Sequence, residues 1–394
     1  MTSRRTVILG GGFGGLATAN ALRRALPAAH EVVVIDRSPR FYVGAGKTWI
    51  MLGARRFDEI SQSRAALLEP GIRLVEAPIG RIDVAGRVVS AGSDTIRWDY
   101  LVVALGADVN PARVPGLAEA AHTFYTVEGA EWLRDELARF EQGHVVLLVA
   151  GVPFKCPPAP YEAVMLLHDA FSRRGLTGQV RLSMYTAEGA PMATAGPAMG
   201  QFIRGELEAR GIAYYPLKTA TGVDGGKRRV TFADGSEATY DLLIAVPPHE
   251  VPEVVRAAGL AGPSGWIPVD PRTLQVKQPT GLEGVYAIGD VTSVPLPGRY
   301  KPDVGLALPK AGVFAEAQGR VVAQRIAGEI LGRPSDAAFD GRGFCYLETG
   351  GDRAVRAEGA FFELPVPAMQ KQAPDEAQLE DKRAWVNDHL RPVR

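Results

Sequence analysis

A short apolar stretch followed at once by a cluster of glycines constrains the fold of this chain more than any other feature. Residues 6–9, TVIL, have the character of a buried strand, and residues 10–15, GGGFGG, follow directly. Gly10, Gly12 and Gly15 match the pattern G-x-G-x-x-G. In this pattern the first glycine permits a tight turn, the second lets backbone approach a pyrophosphate, and the third lets a helix pack closely on the strand. The cluster therefore predicts a dinucleotide-binding βαβ unit.

The residues after the glycines supply the rest of such a unit. Residues 16–26 are predicted to form the helix, whose N-terminal dipole favours phosphate groups. Residues 31–36, EVVVID, are predicted to form a second strand. It ends in Asp36, an acid placed to accept hydrogen bonds from an adenosine ribose. Strand, glycine loop, helix, second strand and terminal acid thus occur in the order that a dinucleotide site needs.

Length and composition limit the remaining possibilities. A chain of 394 residues exceeds what one core usually holds, so two or three domains are expected. Basic and acidic residues both number 44, and this balance gives no indication of nucleic-acid binding. No apolar stretch is long enough to span a membrane, two cysteines are too few for a disulfide framework, and the six histidines show no metal-binding spacing.

The N-terminus also bears on location. Arg4 and Arg5 before an apolar run resemble a twin-arginine export signal, but cleavage after that run would remove the glycine loop. We therefore expect a cytoplasmic protein, at most weakly attached to the inner face of the membrane. A homo-oligomer is compatible with the sequence.

Two later segments distinguish between the dinucleotides that the βαβ unit could hold. Residues 98–107, WDYLVVALGA, and residues 284–290, GVYAIGD, are both predicted to be buried strands that end in a turn of small residues. They resemble the later flavin segments of flavoproteins with two dinucleotide-binding domains. The resemblance implies FAD, with Gly106 and Gly289 in the two turns. It also implies that Asp290 forms a hydrogen bond on the ribityl-phosphate side of the cofactor.

A second α/β pattern lies between these flavin segments. It consists of strands at 144–150 and 180–186, helices at 161–173 and 197–210, and two strands, 229–232 and 240–246, that flank a turn at 233–236. In reductases of this architecture the first strand meets a second glycine loop, which binds NAD(P)H. Here residues 150–162 are AGVPFKCPPAPYE, and prolines lack the N–H groups that would bind a pyrophosphate. We expect this domain to keep the fold without the nucleotide site.

The proline-rich segment contains Cys156, one of the two cysteines. Its sequence, PFKCPPAPYE, resembles the signature of sulfide:quinone oxidoreductases and of the flavoproteins of flavocytochrome c sulfide dehydrogenase. The resemblance extends from the first glycine loop to about residue 350. It implies a second cysteine from the C-terminal region beside the flavin, and Cys345 is the available candidate. Lys155 should favour the thiolate form of Cys156.

The same resemblance implies further site residues. Glu162 corresponds to an acid near the disulfide that can take the proton of hydrogen sulfide. Lys310 matches a lysine near the pyrimidine edge of the flavin, where a cation stabilises the reduced ring. The flavocytochrome relatives attach FAD through a cysteine soon after the second strand, but residues 41–53 contain none. We therefore expect FAD to be bound non-covalently.

These predictions combine into one fold class. We expect an α/β protein of the glutathione-reductase type, with two Rossmann-like dinucleotide-binding domains, the second degenerate, and a small C-terminal region. The predicted boundaries are 1–112 and 268–335 for a discontinuous FAD-binding domain, 113–267 for the degenerate domain with Cys156, and 336–394 for the C-terminal region with Cys345.

The resemblance implies an enzyme that oxidises sulfide to persulfide or polysulfide sulfur through a redox-active Cys156–Cys345 disulfide and passes electrons via FAD to quinone. Three alternatives stay open: transfer to a cytochrome, an NADH:quinone reductase, and a flavin-bound redox sensor without turnover. Phe344, Tyr346 and the apolar residues 361–367 are candidates for lining a quinone cleft. The charged segment 375–394 is expected to form a short helix that packs on the protein.

Overall fold

The glycine loop follows the central strand of a five-stranded parallel sheet. The structure is a computed structural model that describes residues 3–277, 282–301 and 303–393. Residues 7–9, 32–35 and 101–103 of this sheet are fully buried, as expected where both faces of a parallel sheet are covered. Across the sheet the strands follow the order Val285–Ala287, Tyr100–Val103, Arg5–Leu9, Glu31–Asp36 and Ile72–Glu76.

The helix after the glycine loop spans Phe13–Ala25, three residues closer to the loop than predicted. Gly12 is its N-cap, so the helix begins as soon as the turn is complete. The helix packs on the sheet and against the helix Gly312–Ile330. Its first N–H groups therefore point into the loop, where a phosphate would lie.

A second parallel sheet has four strands, in the order Ala213–Tyr215, Val180–Thr186, Gly143–Val149 and Leu242–Val246. The helix Ala159–Arg173 follows the Gly143–Val149 strand after the proline-rich segment. Two parallel sheets with crossover helices confirm the predicted fold class. The first sheet takes strands from both ends of the predicted FAD-binding domain, while the domain boundaries themselves stay a prediction.

One predicted pairing is wrong. The sequence suggested that the strands 229–232 and 240–246 flank a common turn. In the structure Arg229–Phe232 pairs across that turn with Glu237–Thr239, and Leu242–Val246 joins the four-stranded parallel sheet instead. Burial explains the difference, because every residue of Leu242–Val246 is buried whereas Glu237–Thr239 alternates between exposed and buried positions.

A C-terminal antiparallel sheet completes the cavity described below. Its strands are Arg342–Gly350, Arg353–Ala360 and Ala368–Lys371, in that order. The first strand packs on the helix Ala159–Arg173, and the helix Glu376–Asp388 packs on the second. The expectation of a short C-terminal helix packed on the protein is thus confirmed. Within the described ranges, no helix has both the length and the apolar character needed to cross a membrane.

Smaller elements surround these three sheets. The remaining strands are Ile79–Asp83, Val88–Ala91 and Asp94–Arg97 in one antiparallel sheet, Ala220–Asp224 beside Arg229–Phe232, and the short pairs Arg40–Tyr42 with Ser61–Ser63, Asp108–Val109 with His249–Glu250, and Ile267–Pro268 with Thr292–Ser293. The other helices are Lys47–Met51, Leu117–Ala120, Val127–Arg139, Gly196–Ala209 and Glu253–Ala257.

The packing of the glycine loop yields a stability test. A Cβ atom at Gly15 would lie 1.9 Å from the carbonyl oxygen of Gly10, so Gly15→Ala should lower the melting temperature through overpacking worth roughly 1–3 kcal/mol. Gly205→Ala is the matched control, since a Cβ there meets no atom within 4 Å and alanine favours the helix by about 1 kcal/mol. Thermal unfolding followed by circular dichroism compares the two. Equal melting temperatures would contradict the assigned packing.

Candidate functional site

One cavity of about 290 Å³ brings together most of the predicted site residues. Its walls come from the glycine loop, the proline-rich segment and the C-terminal sheet. Three predicted residues do not line the cavity. Gly10 and Gly15 belong to the glycine loop itself, and Asp36 binds that loop. The predicted residues that line the cavity are Gly12, Gly106, Cys156, Glu162, Gly289, Asp290, Lys310 and Cys345.

The glycines of the loop are required for different reasons. Gly10 has a φ of +95°, and a Cβ there would lie 2.4 Å from the carbonyl oxygen of Ala104. A Cβ at Gly12 would meet no protein atom within 4 Å, and the same holds at Gly106. Gly10 and Gly15 are therefore needed by the protein's own packing, whereas Gly12 and Gly106 leave open space beside the cavity.

Asp36 is held at the glycine loop by the protein itself. Its carboxylate accepts hydrogen bonds from the backbone N–H of Gly11 at 2.8 Å and of Ser38 at 2.9 Å. It also pairs with the buried Arg64 at 3.2 Å, and Arg64 Nε donates to the carbonyl of Gly11 at 2.9 Å. Arg64, which the sequence did not single out, thus fixes both the acid and the loop. The predicted contact of Asp36 with a ribose stays a prediction.

Asp290 provides the test of whether a flavin nucleotide fits. Its Oδ1 atom is buried and has no hydrogen-bond partner within the described part of the chain. A buried carboxylate oxygen without a donor is costly, so a ligand hydroxyl at this position would relieve the cost. Burial raises the pKa of Asp290, and the charges of Lys310, Lys155 and Lys47 oppose that rise. Together with the open space beside Gly12 and Gly106, this orphaned oxygen fits a bound flavin nucleotide.

Lys310 is fixed close to Asp290. Its Nζ donates to the carbonyl oxygens of Asp290 at 2.6 Å and of Thr292 at 3.0 Å, and it lies 3.4 Å from the ring centre of Trp266. Burial lowers the pKa of Lys310 to about 8, and the charge of Asp290 opposes this shift. The ammonium group is therefore held rigidly at the cavity wall.

The two cysteines, far apart in the sequence, face the same cavity as free thiols. Cys156 has a φ of +55°, and its backbone N–H donates to the carbonyl of Lys310 at 2.7 Å. Cys345 lies on the strand Arg342–Gly350. Burial raises the pKa of Cys156 to about 11 and that of Cys345 to about 12. The charge of Cys156 contributes to the pKa shift at Cys345, and both residues line the same cavity.

Lys155 is one of several lysines that act on Cys156. The sequence placed Lys155 next to Cys156 as the cation that favours its thiolate. In the structure Lys155 Nζ donates to the carbonyl of Ala107 at 2.9 Å, and the cations that most lower the pKa of Cys156 are Lys382 and Lys47. Burial lowers the pKa of Lys155 and the charge of Cys156 opposes that shift, so Lys155 favours the thiolate as expected but shares that effect with the other two lysines.

Glu162 belongs to a buried ion-pair network that we call the Lys382 network, made of Glu162, Lys382 and Glu348. Lys382, only 1 % exposed, donates to Oε1 of Glu162 at 2.9 Å and to Oε1 of Glu348 at 2.6 Å. Oε1 of Glu162 also accepts from Thr48 Oγ1 at 3.0 Å, and Trp49 Nε1 donates to Glu348 at 2.7 Å. Two carboxylates therefore share one ammonium group.

Burial decides the proton affinities in the Lys382 network. Burial raises the pKa of Glu162, and the positive charge of Lys382 limits that rise. The two carboxylates raise the pKa of Lys382 far enough to outweigh its own burial, so the lysine stays charged. Since two buried acids face one cation, the network can hold an additional proton at Glu162.

Sequence reasoning missed Lys382, Glu348, Trp49 and Lys47. A signal for Lys382 exists in retrospect, because Leu379, Lys382 and Val386 are the buried residues of the C-terminal helix and share one face. A lysine on the apolar stripe of a helix is out of place unless it has a buried partner. The other three carry no comparable local signal.

Aromatic side chains close the cavity on the side of the C-terminal sheet. Trp385 stacks on Phe13 with ring centres 5.6 Å apart and contacts Phe344 at 6.3 Å. Of the predicted aromatic candidates, Phe344, Tyr346 and Phe361 line the cavity. Phe362 instead packs against Phe339.

Comparison with known proteins places the chain in a family. Residues 4–152 and 169–317 match the family model of the pyridine nucleotide-disulphide oxidoreductases. The chain therefore belongs to this family, and it is a flavoprotein oxidoreductase.

Individual relatives are consistent with that membership. The chain is 26 % identical to the sulfide-quinone reductase of Aquifex aeolicus (strain VF5), over 92 % of this chain and 84 % of that protein. It is 23 % identical to the mitochondrial sulfide:quinone oxidoreductase of Mus musculus, over 91 % of this chain and 79 % of that protein. The X-ray structure of the Aquifex aeolicus sulfide:quinone oxidoreductase matches with a TM-score of 0.86 and 23 % identity, covering 98 % of this chain and 90 % of that one. The predicted resemblance is confirmed.

The Lys382 network predicts a pH-dependent loss of stability. Lys382→Met should lower the free energy of unfolding by roughly 3–5 kcal/mol at pH 8, because two buried carboxylates lose their shared cation. A carboxyl group with a raised folded pKa favours folding when protonated and loses that contribution as the pH rises through the folded value. The loss in Lys382→Met should therefore shrink between pH 8 and pH 6.

Urea unfolding at both pH values measures this effect. Arg383→Met on the same helix is the control, since its ion pair with Glu380 is exposed and its loss should change stability by no more than about 0.5 kcal/mol. If the loss in Lys382→Met were the same at both pH values, the carboxylates would not be the source of the effect.

Proposed function

We propose that this chain oxidises sulfide to sulfane sulfur at Cys156 and Cys345 and passes the electrons through bound FAD to a quinone. One observation carries the proposal: both cysteines of the chain line the same cavity as Gly12 and Asp290. A redox-active sulfur pair beside a flavin site is the arrangement that sulfide oxidation requires. The similarity to proteins named sulfide:quinone oxidoreductases supports the same assignment.

Several residues are suited to holding FAD. Gly12 and the N-terminus of the helix Phe13–Ala25 suit the pyrophosphate, and Asp36 suits the adenosine ribose. Asp290 has the free oxygen for the ribityl-phosphate side, and Lys310 supplies a cation for the ring. When bound, FAD supplies the two-electron acceptor that allows the disulfide to re-form. The absence of a cysteine from residues 41–53 supports non-covalent binding.

The sulfur chemistry takes place on the cysteines. Hydrosulfide attacks one sulfur of the Cys156–Cys345 disulfide, the S–S bond breaks, and a new bond joins the substrate sulfur to one cysteine as a persulfide. The other cysteine leaves as a thiolate, which carries the two electrons that the substrate sulfur has given up. A second hydrosulfide then takes the outer sulfur of the persulfide away as hydrogen disulfide and frees the first cysteine as a thiolate, so that the two thiolates can re-form the disulfide by losing two electrons. Because burial raises the pKa of both thiols, this thiolate depends on nearby cations, of which Lys382 and Lys47 act most on Cys156.

Glu162 supplies the proton acceptor. Hydrogen sulfide must lose a proton to become the attacking anion, and Glu162 is a cavity-lining carboxyl group whose pKa is raised by burial. Lys382 holds this carboxyl group by a 2.9 Å hydrogen bond and balances its charge. Glu162 is therefore the group that takes the proton, and Lys382 is a positioning residue.

The structure around the proline-rich segment argues against NADH as the electron donor. Pro158 is the N-cap of the helix Ala159–Arg173 and Pro160 stands in its first turn, so two N–H groups that would bind a pyrophosphate are missing. Glu188 lies two residues after the strand Val180–Thr186, at the position where dinucleotide-binding domains place the acid that binds a ribose. Here the hydroxyl of the buried Tyr161 donates to Glu188.

Quinone is the acceptor that the cavity suits best. The side chains of Phe344, Phe361 and Trp385 give one side of the cavity an aromatic lining, which fits a flat apolar ring. A cytochrome would instead need a charged docking face. The C-terminal helix uses its apolar stripe within the protein, so membrane contact should be weak and peripheral. Location in the cytoplasm at the inner face of the membrane stays a prediction from the sequence.

The cysteine pair gives the direct test of this function. Cys156→Ser and Cys345→Ser should each retain flavin and lose sulfide-dependent flavin reduction by at least about 10³-fold, and the double variant should be no slower than either single one. The reason is that neither sulfur can be opened as a disulfide without the other. Anaerobic stopped-flow mixing with sulfide measures the rates.

Thr349→Ser is the control, since Thr349 is a buried residue of the same strand as Cys345 and is not part of the cavity lining. It should reduce at the normal rate. Near-normal reduction in Cys345→Ser would show that Cys156 acts alone or with an external thiol.

A further inference from the structure

Three lysines stand at the cavity wall without a carboxylate partner. Lys47 and Lys310 are each 7 % exposed and Lys155 is partly buried, yet within the described ranges none of them has an acidic oxygen at ion-pair distance. Buried lysines are normally paired, because an unpaired charge in the interior is costly. Lys310 donates hydrogen bonds to two carbonyl oxygens, and the proposed function gives it the flavin ring as a further partner. Lys47 and Lys155 have so far only an electrostatic effect on the thiolate of Cys156.

Lys47 is held firmly but left partly unsatisfied. Its Nζ donates to the carbonyl of Tyr125 at 2.9 Å and lies 5.5 Å and 5.8 Å from the ring centres of Tyr42 and Tyr125. The structure gives this ammonium group no second hydrogen bond among the residues that it describes. Two of its three N–H donors are therefore available to a ligand in the cavity.

Lys155 is in the same situation and close enough to interact. Its Nζ makes one hydrogen bond, to the carbonyl of Ala107 at 2.9 Å. Burial, followed by the charge of Lys155, lowers the pKa of Lys47 to about 7, and the charge of Cys156 opposes that shift. Both lysines line the same cavity as Cys156, and the hydroxyl of Tyr125, the residue that binds Lys47, lies 3.5 Å from the carbonyl oxygen of Cys156. The carboxylates that act on them are Asp290 on both lysines, Glu128 on Lys47 and Asp108 on Lys155, and among the described residues none of these lies at ion-pair distance.

We propose that Lys47 and Lys155 form a binding subsite, the anion subsite, for a small anionic sulfur species beside Cys156. The inference rests on the proposed function, in which Glu162 takes the proton of hydrogen sulfide, the resulting hydrosulfide anion attacks the disulfide, and polysulfide sulfur leaves the cavity as an anion. Such an anion supplies the negative charge that both ammonium groups lack, and it brings a sulfur atom next to Cys156. The lysines concentrate the anion at the reactive thiol, in the way that a cleft lined by one sign of charge concentrates its counter-ion.

The anion subsite is tested with two alkylating reagents of similar size and different charge. In the flavin-loaded, thiol-reduced Cys345→Ser protein, only Cys156 is left to react with iodoacetate, an anion, or with neutral iodoacetamide. Both reagents attack the thiolate, so a change in the pKa of Cys156 cancels in the ratio of their rates. The rate with iodoacetate divided by the rate with iodoacetamide should fall roughly tenfold in Lys47→Met and in Lys155→Met. Lys227→Met, at an exposed surface lysine, should leave it unchanged.

A second measurement covers the case in which Cys156 resists both reagents. With the cysteine pair intact, Lys47→Met should raise the sulfide concentration that gives half-maximal flavin reduction by roughly tenfold. The limiting rate at saturating sulfide should fall by a clearly smaller factor, because the anion loses its binding partner whereas the thiolate of Cys156 keeps the nearby charge of Lys382.

The outcomes separate the subsite from the function. Loss of flavin from both lysine variants would overturn the subsite and assign the lysines to the cofactor's own negative charge. Retained flavin with an unchanged reagent ratio, or with an unchanged sulfide dependence where Cys156 does not react, would also overturn it. If the ratio falls but sulfide fails to reduce the flavin of the unmodified protein, the subsite stands and the proposed function is wrong.

Discussion

The hydrogen bonds of one buried lysine hold the candidate site together. Lys382 comes from the last helix, Glu162 from the helix after the proline-rich segment, and Glu348 from the C-terminal sheet. Their contacts fix the C-terminal sheet against the helix that follows Cys156, and this places Cys345 in the same cavity. Because a buried charge is tolerated only with its partners, the three elements keep one arrangement. The relative position of the two sulfurs depends on that arrangement.

Burial also determines the chemistry that the cavity can support. The interior that raises the pKa of both thiols makes a free thiolate costly, so the charge of every nearby lysine counts. The cations have distinct places: Lys310 at the turn with Asp290, Lys382 at Glu162, and Lys47 and Lys155 near Cys156. The buried Oδ1 atom of Asp290, which has no hydrogen-bond partner in the described part of the chain, is available to a hydroxyl group of the flavin nucleotide. The cavity is thus lined by several buried lysines that can balance negative charge.

Much of this could be predicted because the relevant signals are local. The glycine loop and the apolar runs of the central strands depend on short-range packing, so Arg5–Leu9, Glu31–Asp36 and Val180–Thr186 lie within one residue of their predicted positions. The pairing of residues 240–246 could not be predicted, since an apolar run does not reveal which sheet it will join. The partners of Lys382 could not be predicted for a similar reason, since they are distant in sequence and become neighbours only through tertiary packing.

Anaerobic titration of the purified protein with sulfide and, separately, with NADH tests the central claim most directly. The account predicts that sulfide bleaches the flavin absorbance rapidly, because the cysteine pair delivers its electrons to the flavin. NADH should bleach it slowly or not at all, because prolines stand where a second glycine loop would bind the nucleotide. Rapid, saturable bleaching by NADH together with no response to sulfide would contradict the account.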